Sequence, residues 1–153
     1  METTRELSHA ACTPAPLPAD HRSRRLAHRA DAAAHARRVV RSALDDWQVS
    51  DDDAHSVLLV ASELVTNALQ HAEPPVVLHV SRERAGPQVR VGVTDGGPRK
   101  QPRTSPRSPG EHGRGLLIVG ALAIEHGTNS HAGRTTRWAS LPAAYGRAQG
   151  DER

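Results

Sequence analysis

Three groups of residues have types and spacings that could do chemistry. Glu63, Asn67 and His71 recur at steps of four, which puts them on one side of a helix. Asn67 offers a neutral carbonyl oxygen suited to a Mg²⁺ ion that keeps several waters and phosphate oxygens. Glu63 offers a carboxylate that could take a proton from a hydroxyl or a water. The same spacing also describes an ordinary solvated polar face. Asp95-Gly96-Gly97 reads as a tight turn, or as a carboxylate accepting a hydrogen bond from an amino group such as that of adenine, with glycines that let the backbone approach a flat ring. Gly113-Arg114-Gly115, just before Leu116, reads as a flexible joint, or as a helix start whose unpaired amides bind phosphate, with Arg114 adding charge-assisted bonds. Arg99, Lys100, Arg103 and Arg107 make the segment between these groups basic, which fits a lid over a polyphosphate and equally a solvated loop.

Other chemistries lack their signatures. None of the ten histidines is paired with another at a three- or four-residue step, and the single cysteine, Cys12, has no partner, so no zinc pattern exists. Neither a Gly-x-Ser-x-Gly nor a Gly-x4-Gly-Lys-Ser/Thr run occurs.

The elements that must position these residues can be read from periodicity. Apolar residues recur helically at Ala36, Val39, Val40, Ala43, Leu44 and Trp47 between Asp31 and Trp47. A second helix starts at Ser50 with Asp53 three residues on, in the manner of a capping box. It carries an apolar stripe through Ala54, Val57, Leu58, Ala61, Leu64, Val65, Ala68 and Ala72, and is ended by Pro74-Pro75. The Glu63–Asn67–His71 row lies about a third of a turn from that stripe, at the edge of the core. Period two then predicts strands over 76–84 and 88–94, joined at Ala85-Gly86-Pro87. Residues 98–109 hold nothing apolar to bury and read as a long loop. A short helix over 116–122 and strands over about 123–130 and 134–141 follow, and residues 24–28 could be an edge strand. This order lacks the strand–helix alternation of a parallel sheet and predicts an α+β fold, with helices on one face of a mostly antiparallel sheet. The Pro-containing residues 1–21 read as a disordered leader, 22–143 as one domain and 144–153 as a flexible tail.

Composition bounds the class. The 153 residues include no Phe and only 2% aromatic side chains, so the core must come from Ala, Val, Leu and Ile. The formal charge of +3 comes from Arg spread through tails and loops. With almost no aromatic side chain to stack bases, the composition does not point to nucleic acid. No stretch is long and apolar enough to span a bilayer, and the N-terminus lacks a secretory layout. The expectation is a cytoplasmic protein.

Taken in order, Glu63-Leu-Val-Thr-Asn67-Ala-Leu-Gln-His71, Asp95-Gly-Gly97 and Gly113-Arg-Gly115-Leu116 resemble the N, G1 and G2 boxes of the GHKL superfamily. Gly133-Arg-Thr-Thr136-Arg-Trp138 resembles its terminal Thr-containing strand. Within it the chain most resembles the stand-alone anti-sigma-factor serine/threonine kinases of bacteria, of the RsbW and SpoIIAB types. The resemblance implies the Bergerat fold, a two-layer α/β sandwich with ATP between the helix layer and a lid. It makes Asn67 the Mg²⁺ ligand, Asp95 the adenine-recognising carboxylate and Glu63 the general base. It places Gly97 near the adenine with Thr136 helping Asp95, His71 beside the nucleotide, and Gly113, Arg114, Gly115 and Leu116 along the phosphates. The pattern departs from larger GHKL enzymes where Arg99 follows Pro98, since their G1 box continues to another glycine. The resemblance implies a cytoplasmic transcription regulator that phosphorylates a small antagonist protein and sequesters a sigma factor, often as a homodimer. The alternative is a regulatory module that holds ATP and binds partners without phosphoryl transfer.

Overall fold

The computed structural model describes residues 20–83, 86–99 and 109–144, with side chains from Gly115 onward in the last segment. Its elements run β1 (His21–Leu26), α1 (Ala32–Asp46), α2 (Asp51–His71), β2 (Val76–Glu83), β3 (Gln88–Asp95), α3 (Pro109–Leu122), β4 (Glu125–His131) and β5 (Arg134–Pro142). The strands form one sheet in the order β1-β2-β3-β5-β4, and every pairing is antiparallel. The fold is the α+β sandwich expected, with the sheet wholly antiparallel.

Alternation along the strands decides which face the helices cover. Val76, Leu78 and Val80 of β2, Val89, Val91 and Val93 of β3, and Ala139 and Leu141 of β5 are buried. They pack against Ala36, Val40, Ala43 and Leu44 of α1 and Val57, Ala61, Leu64, Val65 and Ala68 of α2. The other face is polar. There Ser23 Oγ meets His79 Nδ1 at 2.7 Å, His79 Nε2 meets Thr94 Oγ1 at 3.2 Å, and Thr94 Oγ1 meets Thr136 Oγ1 at 2.7 Å. Burial and the nearby His21 lower the pKa of His79.

Helix α2 is the element that carries most of the candidate residues. Ser50 Oγ accepts the Asp53 N–H at 3.4 Å, and Asp51, Asp52 and Asp53 fill the first turn, where the helix dipole favours negative charge. The Asp53 carboxylate does not close the capping box; it accepts the N–H of Ala144 at 2.7 Å.

Three elements differ from expectation by more than one residue. β1 spans His21–Leu26 rather than 24–28, because pairing with β2 recruits the polar His21 to Ser23. β4 starts at Glu125. Helix α3 begins at Pro109, seven residues before the expected start. Its early glycines hide it from a propensity reading, while Pro at the first helical position is favourable. Of the leader expected over 1–21, His21 instead opens β1 and residues 1–19 lie outside the described residues, as do 145–153 of the expected tail and most of the basic 98–109 segment.

Candidate functional site

Glu63 and Asn67 line one wall of a cleft together with Leu64, Thr66 and Gln70, and Gly115, Leu116 and Val119 of α3 form the other. The cleft measures about 110 Å³, against the 300–1,000 Å³ of sites that take a whole small molecule. It has room for a phosphate-sized group with its counter-ion, not for a nucleotide. The close approach of the two helices depends on Gly115. A Cβ there would stand 2.6 Å from Glu63 Oε2, so any larger residue must push the carboxylate aside.

Asp95 is at the other end of the site, where β3 stops. It is only 6% exposed. Burial raises its pKa above the usual carboxylate range, and the Gly97 N–H and the Arg137 guanidinium oppose part of that shift. Its Oδ1 accepts the Gly97 N–H at 2.8 Å.

The turn after Asp95 is tied to the end of α2 by backbone bonds. Gly96 N–H donates to Glu73 O at 2.7 Å, Glu73 N–H to Gly97 O at 2.8 Å, and Arg99 N–H to His71 O at 3.1 Å. Gly96 is obligatory, because a Cβ would strike the backbone oxygens of Pro74 and, at 2.8 Å, Glu73. Gly97 has φ +92°, a conformation natural only to glycine. Its missing Cβ would lie 2.7 Å from Gly133 O, so the turn also rests on the β4–β5 hairpin.

Arg99, the residue that breaks the superfamily's glycine pattern, has a structural task here. Its guanidinium donates to Leu69 O at 2.9 Å and to Ala72 O at 3.4 Å, and it reaches His28 Nε2 at 3.0 Å. It thereby satisfies carbonyls at the C-terminus of α2, which a helix leaves without internal partners, and places positive charge where the dipole favours it.

Glu63, Asn67, Gly115 and Leu116 are thus brought together. Asp95 and Gly97 form a second cluster, at the end of α2 marked by His71. Eight residues of helix, about 12 Å of axial rise, separate Glu63 from His71. That spacing suits the two ends of one extended ligand.

Two expectations are corrected. Thr136 does not share a face with Asp95. In the β3–β5 register Asp95 stands opposite Thr135, and Thr136 opposite Thr94. Directly opposed residues share a face and successive ones alternate. Thr136 therefore points to the open face, where it bonds Thr94; Thr135 is the threonine paired across the sheet with Asp95. Two adjacent threonines gave no way to choose without the register. The second correction concerns Gly113, Arg114 and Gly115. They do not open α3 but lie in its second turn, so their amides are not the unpaired ones of the first turn.

The residues present suit magnesium. Asn67 brings a neutral carboxamide oxygen to the cleft, the hard, sparse donor of an ion that takes its remaining ligands from water and phosphate, and leaves the Glu63 carboxylate beside it as a proton acceptor. Among the described residues no group of three or more His, Cys, Asp or Glu could hold a metal by itself.

Comparison with known proteins gives the family and the fold. The histidine kinase-like ATPase domain matches residues 26–139, and the chain belongs to that family. The family is one of ATP-binding domains, so ATP is the ligand it implies. A solved structure of the RsbU and RsbW domains of Rv1364c from Mycobacterium tuberculosis shares the fold, with a TM-score of 0.63 and 23% identity over 80% of this chain. The chain spans 32% of that longer chain. No curated protein matches the sequence. Among the described residues no helix is long and apolar enough to cross a membrane.

Proposed function

We propose that this domain binds Mg-ATP lengthwise along α2 and transfers the γ-phosphoryl group to a serine or threonine of a small protein, as an anti-sigma-factor-type kinase. The carrying observation is the pairing of Glu63 with Asn67 on one wall of the cleft under α3. The base end is Asp95, whose carboxylate accepts the adenine amino group beside the Thr135 hydroxyl, with Gly97 allowing the ring to approach. Asn67 holds the Mg²⁺ ion, which supplies charge neutralisation at the phosphates. Gly113, Arg114, Gly115 and Leu116 on α3 flank the phosphate end, with the glycines contributing small size rather than free amides.

Catalysis at such a site consists of positioning and electrostatics. The partner's hydroxyl is held in line with the γ-phosphorus, and Glu63 accepts its proton. The new bond forms between that oxygen and the γ-phosphorus while the bond to the β,γ-bridging oxygen breaks, and ADP leaves. The partners in this reading are a small antagonist protein, which accepts the phosphoryl group, and a sigma factor, which the domain sequesters, with a homodimer as the working unit.

A second reading keeps ATP as a structural ligand without transfer. It draws on the closeness of α3 to Glu63 Oε2, which leaves little room for a hydroxyl at the base. The experiment that separates them uses ATP labelled at the γ-phosphate, with the antagonist-type proteins of the same cell as acceptors. Label on an acceptor with the wild type and none with Glu63→Gln supports the kinase. Sigma-factor binding with no label on any acceptor supports the passive module.

A further inference from the structure

A second recessed surface lies far from the cleft, along the free edge of the sheet. Among the described residues β1 pairs only with β2, so its outer main-chain groups are not used by the described sheet, and α1 lies beside that edge. Between them runs a groove of about 560 Å³ walled by His21, Arg22, Ser23 and Arg24 of β1 and by His35, Arg38, Val39 and Ser42 of α1. The α1 residues recur at steps of three and four, one stripe of the helix. Among the described residues the lining contains three arginines, two histidines and two serines, and no carboxylate.

Asp46, at the end of α1, takes Arg22 at 2.5 Å, and Arg22 also lies 5.6 Å from the Trp47 ring centre. Arg24 and Arg38 have no carboxylate within ion-pair distance among the described residues. Two unmatched guanidinium groups facing a groove invite bidentate carboxylates. An open strand beneath them offers alternating N–H and C=O groups that only an extended polypeptide can pair in register.

We propose that this groove docks an acidic, extended segment of a partner protein, which adds a sixth strand alongside β1 and places its carboxylates against Arg24 and Arg38. A nucleic acid fits less well, because no Trp, Tyr or Phe is among the described residues that line the groove and the strand edge would go unpaired. The inference is independent of the nucleotide reading, since none of the groove residues belongs to the ATP site.

The test measures binding of a fluorescein-labelled peptide of alternating Glu and Thr by anisotropy, at low salt and with the full chain. Arg24→Glu with Arg38→Glu is expected to weaken it by roughly tenfold or more. Arg24→Gln with Arg38→Gln should weaken it less while leaving the melting temperature unchanged. N-methylation of alternate peptide bonds should weaken binding to the wild type comparably, because it removes main-chain donors. Affinity for Mg-ATP should be the same in all variants. Equal binding by the charge-reversed protein overturns the proposal, and so does equal binding of the N-methylated peptide. An oligothymidylate that competes more strongly than the peptide would replace a protein partner with a nucleic acid and also overturns it.

Discussion

The two ends of the candidate ATP site are held in different ways. The base end is a turn fastened by its own backbone: Gly96 donates to Glu73 and Glu73 donates to Gly97 just past the end of α2, Gly97 is seated against Gly133, and Arg99 caps three residues of helix end. The phosphate end is a meeting of side chains from α2 with α3 at Gly115, and among the described residues its close constraint is Gly115 against the tip of Glu63. Changes at the base end should therefore damage fold and binding together unless they spare the backbone. Changes at the phosphate end should damage binding or transfer with the fold intact.

The largest expected effect is Gly96→Ala. The added methyl meets fixed backbone oxygens, so the chain must move, at a cost of roughly 3 kcal/mol. For a domain of this size that is a fall in melting temperature of roughly 6–12 °C, readable by calorimetry. An unchanged melting temperature would show that the turn is not locked as described.

Asp95→Asn separates the two properties at the same end. The amide oxygen still accepts the Gly97 N–H, and a buried charge is removed, so stability at neutral pH should hold or rise slightly. Affinity for ATP should fall by about 1.5–3 kcal/mol, the worth of a hydrogen bond to a charged group. The pH dependence follows from the raised pKa of Asp95. Above that pKa the ionised carboxylate costs the folded state free energy, and this cost fades as pH falls through the folded pKa towards the unfolded value. Nucleotide affinity has the opposite sign, because the ionised form is the one that accepts the amino group, so it weakens over the same interval. Both trends should vanish in Asp95→Asn.

The threonine pair sharpens the point by one residue. Thr135→Val should weaken ATP binding by about 1 kcal/mol, whereas Thr136→Val should leave it unchanged and cost only the hydroxyl bond to Thr94. The reverse order would mean that the β3–β5 register is misread. The smallest change is expected from Gly115→Ala. Its methyl meets the flexible end of Glu63, so stability should shift by about 0.5 kcal/mol or less, while the rate of transfer to an acceptor drops.

Much of this was legible in the sequence. Periodicity placed α1, α2, β2 and β3 to within a residue or two, because their apolar stripes are long and regular. The order of Glu63, Asn67, Asp95 and Gly115 marked the family, which the match over residues 26–139 bears out. What stayed hidden depends on contacts between distant segments. Helix α3 was shortened because Gly113-Arg114-Gly115 looks like a joint, although the small size of Gly115 is what lets α3 approach α2. Arg99 looked like a defect in a glycine motif or a lid charge, and its work as a helix cap is visible only once β3 has returned to the end of α2. The choice between Thr135 and Thr136 needed a strand register that no local pattern contains.

The central claim is that one ATP molecule spans both ends of α2. The most direct test is calorimetric titration of Mg-ATP into the wild type, Asp95→Asn and Asn67→Ala. The account predicts one site per chain in the wild type and a roughly tenfold or greater loss of affinity in each variant, with melting temperatures close to wild type. Wild-type chain that takes up no Mg-ATP, or variants that bind it as tightly as the wild type, would contradict it.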